Sequence, residues 1–195
     1  MTAVPPSSPE AFCDANVLYP SLLRDLLIRL DIEGLCRLRW SDEVNHEWIN
    51  ALVRDRGFEP EPLLRTQALM DRALPHARVT GFGHLIPDLT LPDPDDRHVF
   101  AAALHSRVPH LLTFNLSDFP AHALPTGAPQ VIHPDAWLAP VLSQDLQVTC
   151  QVLRQLVAPF RKPPRTISDV ARQLTQILMP QSAEVLEKMV AQDIC

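Results

Sequence analysis

Four acidic residues on separate segments are the first candidates for chemistry in this sequence: Asp14, Glu47, Asp96 and Asp118. The densest acidic stretch runs from Leu91 to Leu104, where Asp93, Asp95 and Asp96 precede an alanine-rich apolar run. Pro94 suits the first turn of a helix, where its missing N–H is not needed, and negative charge suits a helix N-terminus. Counted from Asp96, the apolar Val99, Phe100, Ala103 and Leu104 fall at helical spacing, so the wheel turns the Asp96 carboxylate inward. An unpaired buried carboxylate is costly. Either these acids are the solvated cap of a helix, or Asp96 stands at a cleft where something cationic compensates it.

The other three acids pose the same choice. Asp14 closes the apolar run Ala11–Cys13 and opens a helical one. It is either a plain N-cap or a carboxylate at the C-terminal edge of a sheet, where open α/β sheets bind ligands. Glu47 lies one turn from Glu43, a like-charge neighbour, and adjoins the apolar stripe Val44, Trp48, Ala51 and Leu52. Its alternative is an ordinary solvated glutamate. Asp118 and Asn115 end the strand-length run His110–Phe114.

The positioning elements follow from periodicity. Strands are predicted near Ala11–Cys13, Leu35–Trp40, Arg78–Thr80, His110–Phe114 and Gln130–His133. Helices are predicted over Ser21–Ile32, from Ser41 onward, over Pro62–Leu74, from Asp96 onward and over Pro134–Leu142, with a loop over Gly81–Asp88. Strands alternating with helices imply an α/β fold with a parallel sheet between helical layers. Such a sheet gathers Asp14, Asn115 and Asp118 at one edge, with Asp96 beside them. Acids converging from separate segments suit a divalent cation, since hard cations prefer oxygen ligands.

Composition sets bounds. The 195 residues fit one domain with an appendage; 46% are hydrophobic and 21% charged, which is globular and not disordered. Twenty prolines against five glycines imply abrupt element ends. A net charge of −6 argues against a generic nucleic-acid coat protein, but not against an enzyme whose bound cations reverse the local field. Cys13, Cys36, Cys150 and Cys195 are widely spaced and read as thiols of a reducing compartment. Without a signal-peptide pattern or a long apolar run, the expectation is a cytoplasmic protein that does not engage a membrane. Met1–Pro9 reads as a disordered tail.

Taken together, Asp14 and Asn16, then Trp40 and Ser41 leading to Glu47, then Asp93 and Asp96 before an alanine-rich helix, then Thr113, Asn115 and Asp118 resemble the PIN-domain nucleases. Within them the pattern is most similar to the VapC-type ribonuclease toxins of toxin–antitoxin pairs. The resemblance covers roughly residues 10 to 140. It implies a three-layer α/β/α sandwich, Mg²⁺ or Mn²⁺ as cofactor, RNA as substrate and an antitoxin protein as partner, with a homodimer left open. It also implies that Asp14, Glu47, Asp96 and Asp118 are the catalytic and metal-binding acids. Asn115 stands where many members carry a further Asp, so the fourth ligand is Asn115 or Asp118; the charged side chain is favoured. Asn16, Asp93, Thr113 and Asn115 are supporting candidates, and His98 is expected at the surface. The alternative is a PIN-like binding module with weak or lost catalysis. An aspartyl phosphatase ranks last, because Asn16 replaces the second acid its loop would need.

Residues 143–195 exceed a minimal domain of this kind, so the expected division is 10–142 for the nuclease domain and 143–195 for a helical extension. Ser143–Ala158, Thr166–Leu178 and Ser182–Val190 read as its helices, and Thr166 with Asp169 has a capping pattern. Arg161, Lys162 and Arg165 between two of them, and Arg37 and Arg39 upstream, are candidate contacts to RNA phosphates. A solvated charged linker is the alternative for the first three.

Overall fold

Short apolar runs bounded by polar residues become the five strands of the computed structural model, which describes residues 8–195. They are Glu10–Cys13 (β1), Arg37–Ser41 (β2), Arg78–Val79 (β3), His110–Leu112 (β4) and Gln130–Ile132 (β5). All pair in parallel in the order β3-β2-β1-β4-β5, with Phe12 of β1 opposite both Arg39 and Leu111. The chain therefore winds outward from β1 in one direction, then returns to β1's other side at β4. The junction between β1 and β4 is the switch point of the sheet, where crevices form beyond the strand ends.

Consecutive residues of a strand point to opposite faces, and Ala11, Phe12 and Cys13 are all fully buried. Both faces of the sheet are therefore covered, which makes the predicted sandwich. The helices are Ala15–Leu18 (α1), Ser21–Ile32 (α2), Asp42–Arg56 (α3), Pro60–Ala73 (α4), Arg97–Ser106 (α5), Pro134–Gln144 (α6), Leu146–Val157 (α7), Ile167–Gln176 (α8) and Pro180–Ala191 (α9). Helix α5 lies across β1, β2 and β4, while α2 and α3 pack on β2. The Ser41 hydroxyl caps α3 by accepting from the Val44 N–H, and Gly57 ends it at φ +64°, a left-handed position that glycine takes without strain. Gly83–Asp88, expected as a loop, is a 3-10 helix closed by short-range turns such as Leu85 N–H to the Phe82 carbonyl.

Residues 1–7 of the expected tail lie outside the described residues. Ser8 and Pro9 belong to the body: the Ser8 hydroxyl donates to the Gly34 carbonyl at 2.7 Å, and the Pro9 carbonyl accepts from the Arg37 N–H at 2.8 Å.

The C-terminal helices share one core with the sheet. Helix α7 packs on α2, and α9 packs on α6 and α8. Val152, Leu153 and Leu156 of α7 are buried, each contributing about 1.5–3 kcal/mol. The buried Asp135 carboxylate accepts the N–H groups of Gln181 and Ser182 at 2.9 and 2.7 Å, so α6 caps the start of α9. Thr166 and Asp169 form the predicted capping box of α8. The expectation of four thiols is corrected: Cys150 and Cys195 form a disulfide, with Cα atoms 5.4 Å apart, while Cys13 and Cys36 are buried free thiols. Forty-five residues separate the pair in sequence, and only the folding of α9 brings them together. Among the described residues, no helix is long and apolar enough to cross a membrane.

Candidate active site

The switch point places the end of β1 against the end of β4, and the Asp14 N–H donates to the Leu112 carbonyl at 3.0 Å across that junction. Asp14 is therefore fixed at its backbone before its side chain is considered. The residue is 5% exposed, and its carboxylate accepts from three donors: the Ala15 N–H at 2.6 Å, the Asn16 amide at 2.6 Å and the Thr113 hydroxyl at 2.7 Å. The N-cap and cleft readings both hold, since one carboxylate oxygen caps α1 while the other meets Thr113. Asn16 and Thr113 are joined as well, the amide donating to the hydroxyl oxygen at 3.0 Å. Asn16 also accepts from the Phe114 N–H at 3.1 Å, and Thr113 from the Asn115 N–H at 3.0 Å. These bonds order the turn that leads to Asp118.

One cation supports this frame from behind. The buried Arg24 guanidinium donates to the Leu18 carbonyl and lies over the Trp48 ring, 4.3 Å from its centroid. A cation at the C-terminal end of α1 fits the helix dipole and steadies the helix carrying Asn16. The leucine-rich pattern of α2 in the sequence gave no hint of this role.

Asp96 enters from another segment. It ends the 3-10 turn Pro94–Asp96, and α5 begins only at Arg97. The exposed Asp93 caps that turn by accepting from the Asp95 N–H at 2.9 Å. The helical wheel drawn through Asp96 therefore does not apply across this turn, which corrects the expectation for His98. His98 is not a surface residue: its side chain is 16% exposed, and Nε2 lies 2.6 Å from Oε1 of Glu47. Its Nδ1 is buried without a partner among the described residues. Asp118 is half-buried in the 3-10 turn Leu116–Asp118, while Asn115 and Glu43 are exposed.

Electrostatics joins the four acids. Burial raises the Asp96 carboxyl to about 7, and Asp14, Asp118, Asp93 and Glu47 push it in the same direction. Burial also raises Asp14 to about 6; Thr113 and the Ala15 amide pull it down, Glu47 pushes it up and His98 pulls it down. Burial opposes charge on His98, but the Glu47 hydrogen bond and the surrounding acids outweigh it and raise its pKa. Among the described residues, none of Asp14, Glu47, Asp96 and Asp118 pairs with a lysine or arginine.

An oxygen-rich, uncompensated donor set fits a hard divalent cation. Among the described residues, no three His, Cys, Asp or Glu side chains converge as a ready-made chelate. The fit lies in donor chemistry and field.

The candidate RNA contacts stand on β2 and on the connection between α7 and α8. Arg37 is the first residue of β2 and thus at the opposite edge from the strand ends, because all strands run toward the acids. Arg39 pairs with Glu10 at 3.6 Å and donates to the His76 carbonyl. Arg161 bridges to Pro164, and Arg165 lies over the Phe160 ring at 4.0 Å. Phe160 and Arg165 line a separate cavity of about 670 Å³ with Tyr19, Arg24, Arg56 and Phe58. Lys162 lies in the same connection between α7 and α8.

Residues 134–188 match the family described as VapC50 C-terminal domain, a segment that begins with the first residue of α6. A protein of Mycobacterium tuberculosis (strain ATCC 25618 / H37Rv), named "Putative ribonuclease VapC50", is 37% identical over 71 residues. That alignment covers 36% of this chain and 42% of the relative, less than half of its length. No solved structure matches the chain. The similarity is thus to the VapC50 C-terminal domain over residues 134–188 and to that relative over 71 residues, beside a parallel five-stranded sheet with Asp14 at its switch point.

Proposed function

We propose that the protein is a metal-dependent endoribonuclease and the toxin of a toxin–antitoxin pair. The observation that carries this reading is the set of Asp14, Asp96, Asp118 and Glu47: burial and the neighbouring acids raise Asp96, burial and Glu47 raise Asp14, and none of the four pairs with a lysine or arginine among the described residues. Asp14, Asp96 and Asp118, with Glu47 at the margin, would hold Mg²⁺ or Mn²⁺. Such an ion supplies Lewis acidity and a more acidic water for phosphodiester hydrolysis. The chain's own contribution is orientation. Thr113 and Asn16 fix the buried Asp14 carboxylate, the capped Pro94–Asp96 turn presents Asp96, and the turn after Thr113 brings in Asp118. Asp118 is favoured over Asn115 as the fourth acid, because its charge reaches Asp96.

An acidic cleft of this kind is also where a restraining partner would act. Arginine suits the task, since its planar guanidinium pairs bidentately with carboxylates and stays charged. A plating assay tests the proposal. Expression of the chain alone should arrest growth, Asp96→Asn should not, and co-expression with the product of the neighbouring gene should restore growth. Equal growth of wild-type and Asp96→Asn strains at matched soluble protein would refute the toxin reading.

A further inference from the structure

His98 and Glu47 are 51 residues apart, on α5 and α3, yet their side chains meet at 2.6 Å. A carboxylate only accepts hydrogen bonds, so the Nε2–H of His98 must be the donor. The histidine is well buried, at 16% side-chain exposure, whereas Glu47 is 42% exposed and is the more loosely enclosed partner. A long, half-exposed glutamate has several rotamers to lose before it can serve in a site. The bond to His98 removes much of that freedom in advance and engages only Oε1 of Glu47.

Stability alone does not explain this placement of the ring. Its Nδ1 is buried with no partner among the described residues, and native interiors leave few such atoms unmet. Local rules are most often broken where a site requires it.

We propose that His98 is a positioning residue that holds the Glu47 carboxylate for a divalent cation, an inference that rests on the metal-dependent reading above. Groups that orient metal ligands by hydrogen bonding usually matter about ten- to a hundredfold in metal affinity. The geometry sets the variants. In His98→Gln the amide NH₂ lies close to where Nε2 stood, so the donor is kept. In His98→Asn it lies near the Nδ1 position and cannot reach Glu47.

The test is calorimetric titration of the full chain with Mn²⁺, with folding of each variant checked by melting in EDTA. His98→Asn should weaken Mn²⁺ binding about ten- to a hundredfold, while His98→Gln stays within about threefold of wild type, since its hydrogen bond survives. In a Glu47→Gln background, His98→Asn should cause no further loss, because its effect runs through Glu47. Wild-type affinity in His98→Asn, or an undiminished further loss in the Glu47→Gln background, would overturn the positioning role while leaving the metal reading intact. If His98→Asn does not fold, His98→Gln decides, and a tenfold loss in that variant counts against the role. A wild-type chain that binds no Mn²⁺ at millimolar concentration overturns both.

Discussion

Replacing Asp96 by Asn should stabilise the metal-free protein at alkaline pH, because the native fold holds this carboxyl in a place that disfavours its charge. Its pKa rises from 3.8 to about 7 through burial and the neighbouring acids. Between those values the folded chain keeps a proton that the unfolded chain has released. Folding stability from this group is therefore highest at low pH and falls as pH rises from about 4 to about 7. A rise from 3.8 to about 7 corresponds to a ceiling of about 4 kcal/mol. Asp96 is only half-buried, so solvent screening reduces the expected effect to about 1–2 kcal/mol. No side-chain hydrogen bond holds Asp96 among the described residues, so Asn forfeits none in the metal-free state. His98, whose pKa is also raised, loses its stabilising charge as pH rises, which adds a slope of the same sign to both proteins. The difference between the two proteins is thus the quantity to read. Urea denaturation in EDTA at pH 4 and pH 8 should show the advantage of Asp96→Asn over wild type larger by about 1–2 kcal/mol at the higher pH. Excess Mn²⁺ should then favour the wild type, since a ligand bound to the folded state stabilises it. Parallel pH profiles in EDTA, differing by less than about 0.3 kcal/mol, would refute the electrostatic reasoning.

Three further outcomes are expected. Thr113→Val should cost about 1–3 kcal/mol, lowering the melting temperature, because it strips a donor from Asp14 and leaves Asn16 and the Asn115 N–H without their acceptor. Asp118→Asn should lower RNA cleavage about a hundredfold or more and Asn115→Ala less than about tenfold, as only the former removes a charge offered to the ion; the reverse order would make Asn115 the fourth ligand. A chain ending at Leu142 should lose its cooperative melt, because it exposes the α2 surface under α7 and the α6 surface under α9; a sharp, reversible melt would instead support residues 10–142 as an independent domain.

The strand runs and the acids were legible because each is written locally. An apolar run that ends in Asp14, or in Thr113 and Asn115, shows both the strand and what stands at its end, and helix α2 follows its leucine periodicity over Ser21–Ile32. The arrangement of strands is a non-local matter, yet alternation with helices constrains it to a parallel sheet. His98 was hidden because a helical wheel assumes continuous helix, and the 3-10 turn at Pro94–Asp96 changes the angle between Asp96 and everything after it. Arg24 and the Cys150–Cys195 bond were hidden for a different reason. Each acts on a partner from another element, Arg24 across Trp48 and Cys150 on a residue 45 positions away, and no local spacing encodes such meetings. The basic residues differ in a third way. Charge alone suggested RNA contact, but strand direction puts Arg37 at the far edge of the sheet.

The most direct test of the central claim is cleavage of a single-stranded RNA pool by the purified chain with Mg²⁺ or Mn²⁺, with EDTA, and with Asp96→Asn in place of wild type. The wild type should give endonucleolytic products with either metal and none in EDTA, and Asp96→Asn should cleave at a rate at least about a hundredfold lower. Equal cleavage by wild type and Asp96→Asn, or undiminished cleavage in EDTA, would contradict the claim.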